Sequence, residues 1–213
     1  MVFNPDFTAF TDIYSNIKTP RTIQVNQNGK NVRIIQKGTN TLSDYAMPTM
    51  ELVTIKAADG KTDLYGRVVK PLNFDPNKKY PLILYVYGGP HAQLVQNEWL
   101  SGAPLWDYYM AQQGYIVATV DNRGSANRGF EFESCIHRQV GVNEAQDQME
   151  FVNYLIKQGY VDEKRIGVHG WSYGGFMTIT LMTTYPDVFK VGVAGSPVID
   201  WKYYEIMYGE RYM

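Results

Sequence analysis

Residues Gly170-Trp171-Ser172-Tyr173-Gly174-Gly175 form a G-x-S-x-G pattern, the spacing at which a serine serves as a nucleophile. An apolar run at 165–169 precedes it and a helical stretch at 176–184 follows, so Ser172 falls on a strand-to-helix turn. That context separates a nucleophile elbow from a chance match. Such a turn is sharp, and Gly170 and Gly174 let the two backbones approach where a Cβ would obstruct them. The Tyr173 amide then sits at a helix N-terminus, where it can donate to a developing oxyanion. A second group is Trp201, Tyr204 and Tyr208, spaced three and four apart, which one helix would present on one face. Such a stripe suits a core as well as a ligand wall. Glu205 stands beside it, placed either to meet a substrate amine or to be solvated like other surface glutamates.

Other chemistries are poorly supplied. The single cysteine, Cys135, excludes an internal disulfide framework and a multi-thiolate zinc site, and reads as a small buried hydrophobe or loop residue. Three histidines, His91, His137 and His169, do not make a histidine-rich metal site. Twenty basic against twenty-one acidic residues leave a net charge of −1, without the surplus that would draw nucleic acid or an anionic membrane. Tyrosine is abundant, 17 of 213 residues, and much of it clusters near Ser172 in the motifs. Arg123 reads as a structural ion-pair partner, with Asp147 as its candidate acid.

The elements that must position these residues follow from periodicity. Residues 1–48 contain alternating strands around Asn28-Gly29, a favoured hairpin turn, and predict an all-β piece of two to four strands ending in a polar linker. From 49 to 213 the pattern changes. Segments 51–56 and 64–70 alternate as an antiparallel pair. Runs at 81–87, 115–120, 165–169 and 190–194 are nearly continuous apolar strands, as expected where both faces are covered. Between them, Val142, Ala145, Met149, Val152 and Ile156 repeat at helical spacing, and Gly159 stands where a helix ends. The fold class is α/β, with a mostly parallel sheet and helices on both faces. There is no basic n-region, apolar h-region or spanning run, and Met1 is compatible with an internal start of a longer protein.

The elbow, together with Tyr85-Val86-Tyr87-Gly88-Gly89-Pro90 and Asp121-Asn122-Arg123-Gly124-Ser125, resembles the prolyl oligopeptidase family of serine peptidases. Trp201-Lys202-Tyr203-Tyr204 and Tyr208-Gly209-Glu210-Arg211-Tyr212-Met213 narrow the resemblance to the dipeptidyl peptidase IV branch, near bacterial prolyl tripeptidyl and dipeptidyl aminopeptidases. The resemblance implies a partial α/β-hydrolase at 49–213 and, at 1–48, the last strands of a β-propeller with its linker. It implies Ser172 as nucleophile, the Tyr87 hydroxyl as second oxyanion donor beside the Tyr173 amide, and Tyr173, Val198, Trp201, Tyr204 and Tyr208 as the wall of a proline pocket. The substrate would be a peptide with proline in the penultimate or third position. No metal or organic cofactor is needed. For a bacterial parent the resemblance implies a periplasmic or cell-envelope location.

An α/β-hydrolase triad runs in the order Ser, acid, His. No histidine follows Ser172, and Asp187 and Asp200 follow it too closely to be the acid. The sequence therefore reads as a catalytic domain cut before its acid and base, inactive alone, with the strand at 190–194 as an exposed edge prone to self-association. The leading reading is a serine exopeptidase fragment. The alternatives are an acylaminoacyl peptidase or esterase on the same fold, and a catalytically dead fragment acting by interaction.

Overall fold

Short alternating segments separated by turn residues build the first of two compact units in the computed structural model, Met1–Met47 with Gln96–Ala103. Residues 1–212 are described. Strands β1 (Val2–Phe3), β2 (Ala9–Asn16), β3 (Thr19–Gln27) and β4 (Lys30–Gln36) pair in sequence order, each antiparallel to the next. Gln27 pairs with Lys30 across a two-residue loop in which Asn28 and Gly29 take φ of 49° and 74°. Both are positive, as a primed hairpin turn requires. Segment Gln96–Ala103 contains a 3₁₀ turn at Trp99–Gly102, tied in by a hydrogen bond from the Trp99 amide to Ser15 Oγ at 2.9 Å. The sequence reading placed this segment with residues 49–213. Its destination depends on tertiary hydrogen bonds that local periodicity does not encode.

The second unit, Pro48–Val95 with Pro104–Met213, is built on a six-stranded sheet. Its strands are β5 (Thr49–Lys56), β6 (Asp63–Lys70), β7 (Tyr80–Tyr85), β8 (Ile116–Asp121), β9 (Val161–Trp171) and β10 (Val191–Gly195). They lie in the order β10-β9-β7-β8-β6-β5. The pairs β8–β7, β7–β9 and β9–β10 are parallel, and β5–β6 and β6–β8 antiparallel. Every residue of β8 is buried, which explains its continuous apolar run. Helix α1 (Leu105–Gln112) connects β7 to β8, α2 (Phe130–Ser134) and α3 (Val142–Lys157) lie between β8 and β9, and α4 (Tyr173–Thr184) joins β9 to β10. Helix α5 (Ile206–Tyr212) follows.

Helices cover both faces. Neighbouring residues of a strand point to opposite sides. In β6, Gly66 lies under the Phe151 ring of α3, whereas Arg67 reaches Asp107 of α1 at 3.1 Å. The core between sheet and helices includes Leu64, Leu82, Leu84, Ile116, Phe151, Leu155 and Ile166, all essentially inaccessible. Each such side chain contributes roughly 1.5–3 kcal/mol. Helix α3 departs from its expected stripe, since Val142 is 48% exposed while Glu144, Asp147 and Gln148 are fully buried. At its end Gln158 is the C-cap and Gly159 follows with φ of 89°. Strand β10 lies at one edge of the sheet, with Val191 and Val193 exposed.

Candidate active site

Ser172 sits between β9 and α4 with φ 58° and ψ −116°. For a non-glycine residue that conformation costs roughly 1–3 kcal/mol and persists only when the surroundings over-determine it. Here they do. The Ser172 amide donates to the Gly195 carbonyl of β10 at 2.9 Å, and its carbonyl accepts from the Phe176 amide at 3.1 Å. A Cβ on Gly174 would run into the Val86 carbonyl, and one on Gly170 into that same carbonyl and the carbonyl of Gly174. The two glycines thus admit a third backbone, the end of β7, as well as the strand and helix that the sequence pattern anticipates. Tyr173 is the first residue of α4, so its amide is among those with no acceptor inside the helix.

Val86 and Tyr87 lie just beyond β7, not within it as the apolar run predicts. The Val86 amide still donates to the His169 carbonyl at 2.9 Å, and the chain turns at Gly88, whose φ is 77°. Gly88 and Gly89 are enclosed: a Cβ on Gly88 would lie 3.2 Å from Asn122 Oδ1, and one on Gly89 would lie 2.6 Å from Tyr173 Cγ. This turn sets Tyr87 beside the elbow, its ring centroid 6.0 Å from that of Tyr173. Partial burial, with Tyr204, Tyr85 and Tyr212 nearby, pushes the Tyr87 phenol up, so it remains a neutral donor. No described residue accepts its proton in a hydrogen bond.

The aromatic residues beyond β10 converge on the same place, but not from one helix. Trp201–Tyr203 is a 3₁₀ turn, Tyr204 is extended with ψ of 173°, and α5 begins only at Ile206. The break corrects the single helical face that the three-and-four spacing predicts. Asp200 causes part of it by capping the 3₁₀ turn, accepting from the Lys202 amide at 3.1 Å. The rings cluster nonetheless. Trp201 stacks on Tyr208 at 5.6 Å and 4°, meets Tyr204 edge-on at 5.6 Å, and lies 5.4 Å from Tyr173. Val198 is half-buried on the segment between β10 and the 3₁₀ turn. Glu205 is exposed, and its carbonyl accepts from the Gly209 amide at 3.2 Å.

Tyr173 differs from a free pocket wall. Its ring is 2% exposed and its hydroxyl donates to Glu144 Oε1 at 2.6 Å. Burial, with the Glu144 carboxyl beside it, pushes the Tyr173 phenol far up. Sequence reasoning missed Glu144. The available signal was a set of three polar residues, Glu144, Asp147 and Gln148, recurring at helical spacing within an otherwise core-facing segment.

The histidines lie apart from the elbow's chemistry. His169 Nδ1 is 3.2 Å from the Val193 carbonyl, with the ring beside Tyr85 and Trp106. His91 bonds the Tyr212 hydroxyl, and His137 is exposed. Cys135 is half-buried after α2, its thiol donating to the Phe132 carbonyl at 3.3 Å, and burial pushes that thiol up. Arg123 does pair with Asp147, through Nη2 at 2.8 Å and Nε at 2.9 Å.

The pattern of the prolyl oligopeptidase family matches residues 105–213. Mouse dipeptidyl peptidase 8 is 37% identical over 216 residues, covering 96% of this chain and 24% of its own length. Mouse prolyl endopeptidase FAP is 36% identical, covering 92% of this chain and 24% of its own length. Among solved structures, a candidate dipeptidyl aminopeptidase IV from Bacteroides ovatus ATCC 8483 superposes with a TM-score of 0.96 at 55% identity, covering 99% of this chain and 30% of that one. Porphyromonas gingivalis dipeptidyl peptidase 4 gives a TM-score of 0.89 at 34% identity, covering 100% and 30%. The chain thus spans about a quarter of the length of these sequence relatives. The fold is α/β, a partial α/β-hydrolase, preceded by the four-stranded sheet.

Proposed function

Since the chain belongs to the prolyl oligopeptidase family, we propose that it carries the nucleophile and substrate pocket of a serine exopeptidase that releases short N-terminal peptides after proline. The observation that carries this reading is the convergence of three separate segments on one point. They are the strained Ser172 turn, the Tyr87–Gly89 turn and the aromatic cluster of Trp201, Tyr204 and Tyr208. In the reaction, Ser172 Oγ bonds to the prolyl carbonyl carbon as its proton is removed, and the carbonyl oxygen becomes an oxyanion. The Tyr173 amide and Tyr87 hydroxyl donate to that oxygen, and one such donor is worth roughly 3 kcal/mol. The C–N bond then breaks, the proton passes to the leaving amine, and water releases the acyl group from the serine.

Proline suits the pocket because a pyrrolidine ring is small, rigid and apolar, and flat aromatic walls enclose it with little loss of side-chain freedom. The substrate is a peptide with proline in the penultimate or third position. In this reading Glu205, exposed beside the aromatic cluster, meets its free amine. Unchanged KM for free-amine substrates in Glu205→Gln would remove that role.

The test compares Ala-Pro and acetyl-Ala reporters on the whole protein that contains these residues. Faster Ser172-dependent turnover of Ala-Pro is expected, and preference for acetyl-Ala would favour the acylaminoacyl peptidase or esterase alternative. The 213 residues alone hold no histidine beyond Ser172, and the three before it are engaged or exposed elsewhere. Loss of a triad base costs about as much as loss of the whole triad. A fluorophosphonate probe should therefore label this isolated chain far more slowly than an intact serine peptidase.

One observation favours a second reading, action by association. Val191 and Val193 are exposed along β10, the edge strand of the six-stranded sheet among the described residues, and an apolar edge invites pairing. Light scattering should find self-association of the 213-residue chain, and a stable monomer at high concentration counts against it.

A further inference from the structure

Glu144, Asp147 and Gln148 occupy one face of α3 and are all fully buried. Burying three polar side chains against a sheet is costly unless each is bonded, and apolar residues would serve stability alone as well. Their bonds have a direction. Glu144 Oε1 accepts from the Tyr173 hydroxyl at 2.6 Å and from the Gly141 amide at 3.0 Å. Gln148 Nε2 donates to Asn122 Oδ1 at 2.8 Å, and Asn122 Nδ2 donates to the Gly88 carbonyl at 2.9 Å. Asp147 fastens the intervening loop, accepting from the Arg123 amide and from the Ala58 amide, each at 3.0 Å. One helix face therefore reaches the residue that follows Ser172 and, through Asn122, the residue that follows Tyr87. The two arms close on each other where Gly89 abuts the Tyr173 ring.

We propose that Glu144 and Gln148 are positioning residues that set the separation of the two oxyanion donors, Glu144 by orienting Tyr173 and Gln148 by holding the turn after Tyr87. The inference rests on the serine peptidase reading above. The Tyr173 ring meets Phe176 edge-on and Trp201 at a tilt, contacts that carry no directional bond, whereas the 2.6 Å bond at its far end fixes the ring, and with it the first residue of α4. Burial pushes the Glu144 carboxyl up while the Gly141 amide and Tyr173 hydroxyl pull it down. Oε1 accepts from both in either protonation state.

The test uses the whole protein and separates transition-state geometry from pocket binding and from stability. Single-turnover acylation of an Ala-Pro reporter, affinity for a prolyl boronate that mimics the tetrahedral adduct, affinity for the product Ala-Pro, and the melting temperature are measured for each variant. Glu144→Leu should slow acylation about ten- to a hundredfold and weaken the boronate by a similar factor, with product affinity held within about twofold. Glu144→Gln, which keeps an acceptor for Tyr173, should rescue acylation to within about threefold of the parent. Gln148→Leu should lower the boronate-to-product affinity ratio in the same way. If Glu144→Leu does not fold, Tyr173→Phe removes the same hydrogen bond and should lower that ratio about tenfold. A folded Glu144→Leu or Tyr173→Phe with an unchanged ratio overturns the inference, as does a loss of acylation that only tracks the folded fraction. A parent without Ser172-dependent turnover defeats the functional reading and the inference with it. An active parent with unchanged ratios defeats the inference alone.

Discussion

Gly89→Ala isolates the contact between the two halves of the site. Gly89 has no positive φ, so alanine meets no backbone penalty there and the perturbation is purely steric. The new methyl would lie 2.6 Å from Tyr173 Cγ and 2.8 and 3.0 Å from its two Cδ atoms. Carbon pairs rest at about 3.5–4.0 Å, so roughly 1 Å of separation must open between the turn and the ring. The ring has little freedom to give, being 2% exposed and held by Glu144 at its hydroxyl. The Tyr87–Gly89 turn moves instead, and Tyr87 with it. A displacement of about 1 Å in a catalytic constellation costs about a hundredfold in rate, against about 1–3 kcal/mol of stability for one overpacked methyl. Steady-state kinetics of the whole protein with an Ala-Pro reporter, beside a thermal melt, provide the assay. The expected result is a kcat/KM about a hundredfold lower in a protein that remains folded at the assay temperature. A value within threefold of the parent would refute the argument that these two segments are in register at the site.

Trp201→Ala removes the stack on Tyr208 and the contact with Tyr173, and should lower kcat/KM for a prolyl reporter by about 10–100-fold while affecting an alanyl reporter less; equal losses for both would disconnect the cluster from proline selectivity. Asp147→Ala leaves the Arg123 guanidinium with only Asp59, at 3.4 Å, and strands two backbone amides, and should destabilise by about 2–4 kcal/mol in chemical denaturation, an expectation that a change below about 1 kcal/mol would contradict. Asp59 titrates well below the ordinary 3.8, because the Thr62 hydroxyl donates to it, followed by the Thr62 and Lys61 amides. Its folded state binds the proton less tightly than the unfolded one, so its contribution is complete above pH 3.8 and disappears as pH falls toward the lower folded value. Asp59→Asn should accordingly lower the urea midpoint at pH 7, and the gap from the parent should close in acid; a gap that widens there would reverse the sign.

The sheet and the elbow were legible because their signals are local. Asn28-Gly29 names its turn, the run within β8 names a strand covered on both faces, and Gly-x-Ser-x-Gly names a strand-to-helix corner. The Arg123–Asp147 pair was legible from charge alone. What escaped depended on distant partners. Spacing placed Trp201, Tyr204 and Tyr208 on one helix, yet the chain breaks at Tyr204 and ring packing, not helical phase, brings them together. Apolar periodicity chose Val142 for the core of α3 over Glu144, since a buried acid is worth burying only where a hydroxyl such as that of Tyr173 waits for it. The segment at 96–103 gave no local indication of which unit its hydrogen bonds would join.

The crowding of backbone around Gly170, Gly174 and Gly88 has a further consequence, for how such a protein can change. An added carbon collides with a carbonyl at Gly170 and Gly174, and at Gly88 it meets a φ of 77° and a tight approach to Asn122, so the serine, its helix and the Tyr87 turn form a rigid block with almost no tolerance for new side chains. The aromatic segment after β10 is assembled differently, from a short 3₁₀ turn and a separate helix with Tyr203, Ile206 and Met207 facing outward. Residues can be exchanged there without disturbing the sheet. On the serine peptidase reading, the part that cannot vary would hold the reaction and the part that can would hold selectivity, so a library confined to residues 198–208 should yield altered substrate preference far more often than loss of folding.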